Sequence, residues 1–318
     1  MPGSNTGGQV SILMGVYNGA GDLSEQLTSF AAQSHGDWRL IASDDGSTDD
    51  SAAILQAFAE AQEELGRQVE LRRGPRRGFA ANFLSLIAAA PEDADWLALS
   101  DQDDVWLPDR LARGIAALRK IPPATPALYC SRTWITDERL ENPRLSMAVK
   151  KPPGFRNALV QNIAAGNTIL LNRAAAGLAR ETAPAAAEMP GLPAHDWWLY
   201  QLVTGAGGTV IHDPEPALYY RQHGSNLIGA NDSWRARAWR IGLLLSGRFA
   251  AWNDANLAAL WAVVDRLTPE NRAVLETFSR LRGQSLPRRL GAFRQAGLYR
   301  QTVLGQAALW LALVLRRL

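Results

Sequence analysis

An α/β fold, with a mostly parallel sheet flanked by helices and a helical C-terminal extension, is what the sequence predicts. Three observations predict it. Short apolar segments rich in β-forming residues alternate with amphipathic helical patterns through the first half. Acidic residues gather where several of these segments end, which is where open parallel sheets bind ligands. From about residue 233 onward the pattern is helical only.

The elements follow in order. "VSILMGVY" (10–17), "WRLIAS" (38–43), "VELRR" (69–73), "DWLALS" (95–100) and "ALYCS" (127–131) read as strands. Between the first two, "DLSEQLTSFAAQ" sets Leu23, Leu27, Phe30 and Ala31 on one helical face. "SAAILQAFAEAQEEL" does the same with Ile54, Leu55, Phe58 and Leu65, so the chain opens as a βαβ series. The stretch 137–166 contains prolines and reads as a loop over the sheet, with "NTILLN" (167–172) as a further strand. A Pro/Ala-rich loop then precedes a helix, "HDWWLYQLVTG" (195–205), and "TVIH" and "ALYYRQ" read as two short strands. These assignments divide the chain into an α/β unit, 1–230, and a basic helical segment, 231–318.

Composition bounds the function. An apolar fraction of 47% with 20% charged residues is that of a globular protein able to bury a core. Cys130, the single cysteine, cannot form an intramolecular disulfide, and "MPGSNTGGQV" has neither a basic n-region nor an apolar h-region, so a cytoplasmic protein is expected. Net charge is only +2, which gives no reason to expect a nucleic-acid partner, but it is unevenly spread. Residues 231–318 hold fourteen Arg, no Lys and five acids, a net +9, which leaves −7 on residues 1–230.

The strand ends carry the chemistry. Strand 1 ends at Tyr17 and Asn18. Strand 2 ends in "SDDGSTDDS", where Gly46 to Asp50 are accounted for by a turn and a helix start, but the adjacent Asp44 and Asp45 would repel each other unless something pairs with them. Strand 4 ends in "LSDQDDVW", with Asp101, Asp103 and Asp104 within four positions. A hard divalent cation, Mg2+ or Mn2+, takes oxygen ligands and would relieve that repulsion; alternate residues of an extended segment put Asp101 and Asp103 on one side. The other reading is that the cluster only begins the next helix. One pocket for a nucleotide-linked substrate explains all three exits.

The ordered set "SILMGVYNG", "LIASDDGSTDDS", "GFAANF", "LSDQDDVWLPDRL", "HDWWLYQLV" and "YYRQHGSN" resembles the inverting family 2 glycosyltransferases of GT-A (Rossmann-like) fold, over roughly residues 9–229. The "SDQDDVWLPDRL" version is similar to the bacterial branch that includes rhamnosyltransferases of cell-surface polysaccharide assembly. The resemblance implies a nucleotide-diphosphate-sugar donor, a divalent metal and inversion at the anomeric carbon, in a catalytic domain, 1–230, whose 9–135 part binds the nucleotide sugar and whose 136–230 part carries the acceptor and base functions. It implies Tyr17 against the base, Asp44 and Asp45 at base or ribose, and Asn18 and Gln102 among the donor contacts. Asp101 and Asp103 would be the D-x-D metal site, with the doubled acid leaving Asp103 and Asp104 both open as ligands. Arg73, Arg77 and Asn82 are candidates for the nucleotide, although the arginines also fit a solvated basic turn. His223 would be a third metal ligand and Arg221 a phosphate contact.

Inverting transfer needs a carboxylate to deprotonate the acceptor hydroxyl. The resemblance puts it at Asp196, where the family usually has a pair of acids and this chain has His195 first. Of Trp197 and Trp198, which point about 100° apart on a helix, one is expected to stack on a sugar and one to pack in the core. "TVLGQAALWLALVLRRL" is too short for a transmembrane helix, at about 20 Å against a core of about 30 Å. With its basic flanks the tail fits either the inner face of the cytoplasmic membrane or a cap packed on the domain or a partner subunit in a homo-oligomer.

The expectation is a metal-dependent glycosyltransferase that moves a sugar, with rhamnose from dTDP-rhamnose the candidate, onto a growing lipid-linked surface glycan. Two rivals are a non-catalytic nucleotide-binding scaffold at the membrane, for which Asp196→Asn would be silent, and a sugar nucleotidyltransferase. The latter normally has a Gly-rich phosphate loop with a Lys after strand 1, and "GVYNGAGDLSEQL" has neither. A NAD-dependent enzyme is disfavoured because no G-x-G-x-x-G follows strand 1.

Overall fold

The computed structural model describes residues 7–222 and 247–318. Its first half is the expected series: β1 (Val10–Val16), α1 (Leu23–Ala31), β2 (Trp38–Asp44), α2 (Ser51–Glu63), β3 (Val69–Arg73), α3 (Phe79–Ala88) and β4 (Trp96–Ser100). There follow β5 (Val105–Trp106), α4 (Arg110–Leu118), β6 (Ala127–Thr136), β7 (Arg144–Leu145), the single turn α5 (Phe155–Ala158) and β8 (Leu170–Asn172). Then come α6 (Arg173–Ala187), α7 (His195–Gly205) and β9 (Thr209–Arg221). Four helices complete the described chain: α8 (Arg248–Trp261), α9 (Pro269–Arg280), α10 (Leu286–Ala296) and α11 (Val303–Val314).

The strands form one nine-stranded sheet in the order β3-β2-β1-β4-β8-β6-β9-β5, with β7 on β6. It is parallel from β3 to β4, the part whose carboxyl ends carry the acidic clusters. Beyond β4 it is mixed: β8 runs antiparallel to both β4 and β6, while β6 and β9 are parallel. Alternation along β1 sends Val10, Ile12, Met14 and Val16 to the face covered by α1, α2 and α4, and Leu13 to the face covered by α3, α6 and α7.

Two elements depart from the sequence reading. The region read as a Pro/Ala-rich loop contains α6, which includes Pro184. Its Ala175, Ala176, Ala179, Ala183 and Ala186 recur at helical spacing and are buried, and the Asn172 side chain caps it by accepting from the Ala175 amide. "TVIH" and "ALYYRQ" are one strand, β9, whose Pro214 and Pro216 fall where its register with β6 shifts at Ser131–Trp134. A bulge tolerates residues that cannot donate to the ladder.

The last four helices share a hydrophobic core with the sheet domain. Phe249, Leu260, Leu275, Phe278, Phe293, Leu309 and Leu313 are buried in the cluster that contains Phe155, Trp197, Trp198 and Leu202. Among the described residues no helix is long and apolar enough to cross a membrane.

Candidate active site

The exits of β1 and β2 are sewn together by short polar side chains. Asn18 has a left-handed backbone (φ 48°), which Asn tolerates better than most residues. Its amide donates to Ser47 Oγ (2.9 Å) and its Oδ1 accepts from the Thr48 amide (2.8 Å). The amides of Gly19 and Ala20 donate to Ser51 Oγ (2.9 Å) and Asp49 Oδ2 (3.0 Å). Asn18 thus fixes the loop, and the ring beside it, Tyr17, is left 58% exposed at the rim.

Asp44 and Asp45 avoid one another by serving different loops. Asp44 Oδ1 accepts from the amides of Gly46 (3.1 Å) and Ser47 (2.8 Å), closing its own turn. Asp45 is buried and takes the amides of Arg76 (2.6 Å) and Gly78 (2.9 Å), which holds the β3–α3 loop across the end of β2. That loop leaves Arg77 exposed, as Arg73 is at the end of β3. Asn82 does not reach the rim: it is buried, donating through Nδ2 to the Ser43 carbonyl (2.9 Å) and accepting from Ser43 Oγ (2.6 Å). It pins α3 to β2 because a buried amide must spend its groups locally.

Past β4 the D-Q-D-D stretch splits its side chains. Gln102 accepts from the Tyr17 amide (2.7 Å) and donates to the Tyr17 carbonyl (3.0 Å), so it clamps the β1 exit with its polar atoms already committed. It lies so close over Gly19 that a Cβ there would fall 2.4 Å from Gln102 Cδ. Asp101 and Asp103 are half-buried. Burial, then the charge of Asp103, then that of Asp196, push the Asp101 carboxyl up to about 7. Asp104 is fully buried and accepts from Asn167 Nδ2 (2.7 Å), and burial holds its carboxyl well above the usual range. Asp104 therefore differs from Asp103 in being sealed from solvent, with one carboxylate oxygen held by Asn167 and the other without a hydrogen-bond partner. Beside it the buried Arg110 stacks 3.3 Å over the Trp106 ring and donates to the carbonyls of Leu99 (3.1 Å) and Asn167 (2.7 Å).

Arg221 also departs from its expected role. Its buried guanidinium donates to the carbonyls of Asp103 (3.1 Å) and Glu138 and pairs with Glu25 and Asp22. Engaged on every side, it braces the backbone of the acidic stretch and is not presented to a phosphate. His223 lies outside the described residues.

Asp196 enters from the far side, in the first turn of α7. Its Oδ2 accepts from the Gly166 amide (3.0 Å) and its Oδ1 from the Trp197 amide (2.6 Å), and the Asn162 side chain also bonds it. Burial outweighs these bonds and raises the carboxyl to about 6. Its charge is near enough to raise the Asp101 carboxyl, so the base candidate and the acidic stretch, 95 positions apart in sequence, are neighbours in the fold. His195 stacks on Phe83 at 3.9 Å and 17°, with Phe79 at 6.1 Å, and burial pushes its ring down to about 3. The slot is apolar, so a neutral imidazole suits it where a carboxylate would be desolvated without compensation.

Neither tryptophan is left to stack on a sugar. Trp198 is fully buried, and Trp197, 7% exposed, donates its indole N–H to the Ala158 carbonyl (2.6 Å). α7 buries almost its entire circumference because α8 and α9 cover the side that the sequence left open.

Sequence reasoning missed Asn162, Gly166, Asn167 and Arg110. Only Gly166 carried a signal, an isolated glycine just before a strand, which marks close backbone approach. A Cβ there would sit 3.0 Å from His195 Nε2 and 3.4 Å from Asp196 Cβ. Gly166→Ala is expected to cost about 1–3 kcal/mol in urea unfolding and to lower turnover by shifting Asp196, with nucleotide affinity unchanged.

As for a metal, Asp101 and Asp103 offer the oxygen donors a hard cation uses. Among the described residues no three Asp, Glu, His or Cys side chains group closely enough to hold an ion. A two-carboxylate site fits Mg2+ or Mn2+ that completes its shell with substrate phosphate and water.

Residues 11–177 match the family model described as glycosyl transferase family 2. The chain is similar to the dTDP-rhamnosyl transferase RfbG of Shigella flexneri, 26% identical over 253 residues covering 73% of this chain and 78% of that protein. It is also 26% identical, over 111 residues (35% of this chain, 41% of that protein), to the UDP-Glc:alpha-D-GlcNAc-diphosphoundecaprenol beta-1,3-glucosyltransferase WfgD of Escherichia coli. Among solved structures it is similar to S. aureus TarS 1-349 in complex with UDP-GlcNAc, with a TM-score of 0.52 at 12% identity over 91% of this chain and 90% of that one. At that identity the likeness bears on the fold alone.

Proposed function

The chain belongs to glycosyl transferase family 2, and we propose that it transfers rhamnose from a dTDP-linked donor to a hydroxyl of a growing, lipid-linked surface glycan, with inversion. The observation that supports this reading is the nearness of Asp196 to Asp101, whose carboxyl it and Asp103 raise, together with the exposed ring of Tyr17 on the loop that Gln102 clamps. The donor choice is supported by the name of the Shigella relative, and a lipid-linked acceptor by that of the E. coli one.

In this mechanism Tyr17 lies against the base, and Asp45 lends its remaining lone pairs to the base or ribose. Asp196 accepts the proton of the acceptor hydroxyl as that oxygen bonds to the anomeric carbon and the bond from that carbon to the diphosphate oxygen breaks on the opposite face. The proton ends on Asp196 and the electron pair leaves with the nucleoside diphosphate, so no glycosyl-enzyme forms. Gly166, Asn162 and the Trp197 amide orient the carboxylate for that task. When bound at Asp101 and Asp103, a divalent cation supplies neutralisation of the charge that grows on the departing diphosphate.

The direct test is calorimetry of the purified chain with a panel of nucleotide sugars, with and without Mn2+. Metal-dependent binding of dTDP-rhamnose above UDP- and GDP-sugars is expected; preference for another donor overturns the sugar assignment, and no donor binding overturns the site. Tyr17→Ala is expected to weaken donor binding about tenfold, the worth of one aromatic stack, while changing stability by less than about 0.5 kcal/mol.

A further inference from the structure

The last 38 residues form a hairpin with a composition unlike the rest of the chain. Residues 281–318 contain seven Arg and no Lys, Asp or Glu. Gln306 apart, α11 is apolar around its girth. One face is buried through Leu309, Ala312 and Leu313, and the opposite face leaves Leu304, Leu311, Val314 and Leu315 exposed at helical spacing, with Val303 beside them. Val303 is 87% and Leu304 70% exposed, which is far more than a helix with one buried stripe requires. Arg294 lies 5.7 Å over the Trp310 ring of α11, Arg316 and Arg317 follow directly on the helix, and all three are exposed, as is Arg288 on α10.

The stripe continues past the helix. The amides of Lys150 and Lys151 donate to Gln301 Oε1 (3.0 and 2.8 Å), and Lys151 Nζ donates to the Arg300 carbonyl (2.8 Å). The start of α11 is thus tied to a segment that exposes Leu145, Met147 and both lysines. That segment begins at β7, on the end of β6, whose neighbour β9 ends in the Arg221 that holds the Asp103 carbonyl.

We propose that the outward face of α11, with these arginines and the 145–151 segment, docks on an anionic lipid surface, the helix lying flat at headgroup depth. At about 18 Å it is too short to span a bilayer, and apolar residues flanked only by positive charge are the pattern of an interfacial helix. Charge complementarity selects the partner: a segment that holds seven Arg and no acid is repelled by a second copy of itself and attracted by phospholipid headgroups. The inference deepens the lipid-linked-acceptor reading and rests on it for its purpose, since docking would present the cleft to a substrate held in the bilayer.

The full chain is sedimented with vesicles of phosphatidylcholine alone and with about one-third phosphatidylglycerol. At least about tenfold stronger binding to the anionic vesicles is expected, weakened by salt, and lost in Val303→Glu/Leu304→Glu/Leu311→Glu. Those positions are exposed, so the variant keeps its fold; Arg288→Ala/Arg316→Ala, which deletes only charge, should weaken binding partially. Indifference to the vesicles, binding that survives the triple substitution, or a wild-type dimer that the triple substitution dissolves each overturns the proposal. Donor binding measured on the same proteins keeps the two readings apart: its absence from the wild type would overturn the donor site and leave the vesicle result standing.

Discussion

Asp196→Asn is expected to slow sugar transfer by about 10²–10⁴-fold, the range over which a positioned base contributes, while donor affinity stays within about twofold. Because burial lifts the Asp196 carboxyl to about 6, the wild type should lose activity about tenfold per pH unit below that value and reach a plateau above it. The sign is that of a base: the proton must be absent for it to accept another. The same shift acts on stability in the opposite sense. A folded carboxyl raised from 3.8 to about 6 favours the folded state while protonated, and that advantage disappears as pH rises from 3.8 through 6. At neutral pH the charged, half-buried group costs the fold on the order of 1–2 kcal/mol after solvent screening. Asn removes that cost but loses one acceptor for the two amides now bonded to it, so at pH 7 the variant's Tm should lie within about 3 °C of the wild type. Inactivity with a collapsed Tm would instead make Asp196 a structural cap.

Asp101→Asn with Asp103→Asn is expected to abolish metal-stimulated donor binding, lowering affinity by at least about a hundredfold and removing the response to Mn2+ in calorimetry. The pair should also stabilise the apo fold by about 1 kcal/mol, because it removes charges that repel each other and Asp196. Asp104→Asn is the contrasting control. It leaves metal dependence intact and lowers stability, since that side chain is sealed in with Asn167 and Arg110 and touches no solvent. If Asp104→Asn removed the metal response and Asp103→Asn alone did not, the assignment of the two acids would be reversed.

Much of the molecule was legible because local rules decide it. The period-2 pattern of Val10, Ile12, Met14 and Val16 fixes a strand and its two faces, and the apolar spacing of Leu23, Leu27 and Phe30 fixes the helix that covers one of them. The carboxyl-end rule then located Tyr17, Asp45, Asp101 and Asp103 without coordinates. Pro184 concealed α6, where an alanine face packed in the core outweighs one poor helix former. Trp197 looked available because the groups that bury it are distant in sequence, the Ala158 carbonyl 39 positions earlier and a core shared with the C-terminal helices.

By itself, then, the sequence determined the strands and helices of the parallel half, the family and the carboxylates at its strand ends, since each depends on neighbours a few positions apart. Only the tertiary structure decided how those groups are placed. It buried Asp104 and Asn82, set Arg221 on a carbonyl 118 positions away, and set Gly166 against Asp196. The reason is physical: reactivity follows burial and hydrogen-bond partners, and both are supplied by segments that the chain brings together only on folding.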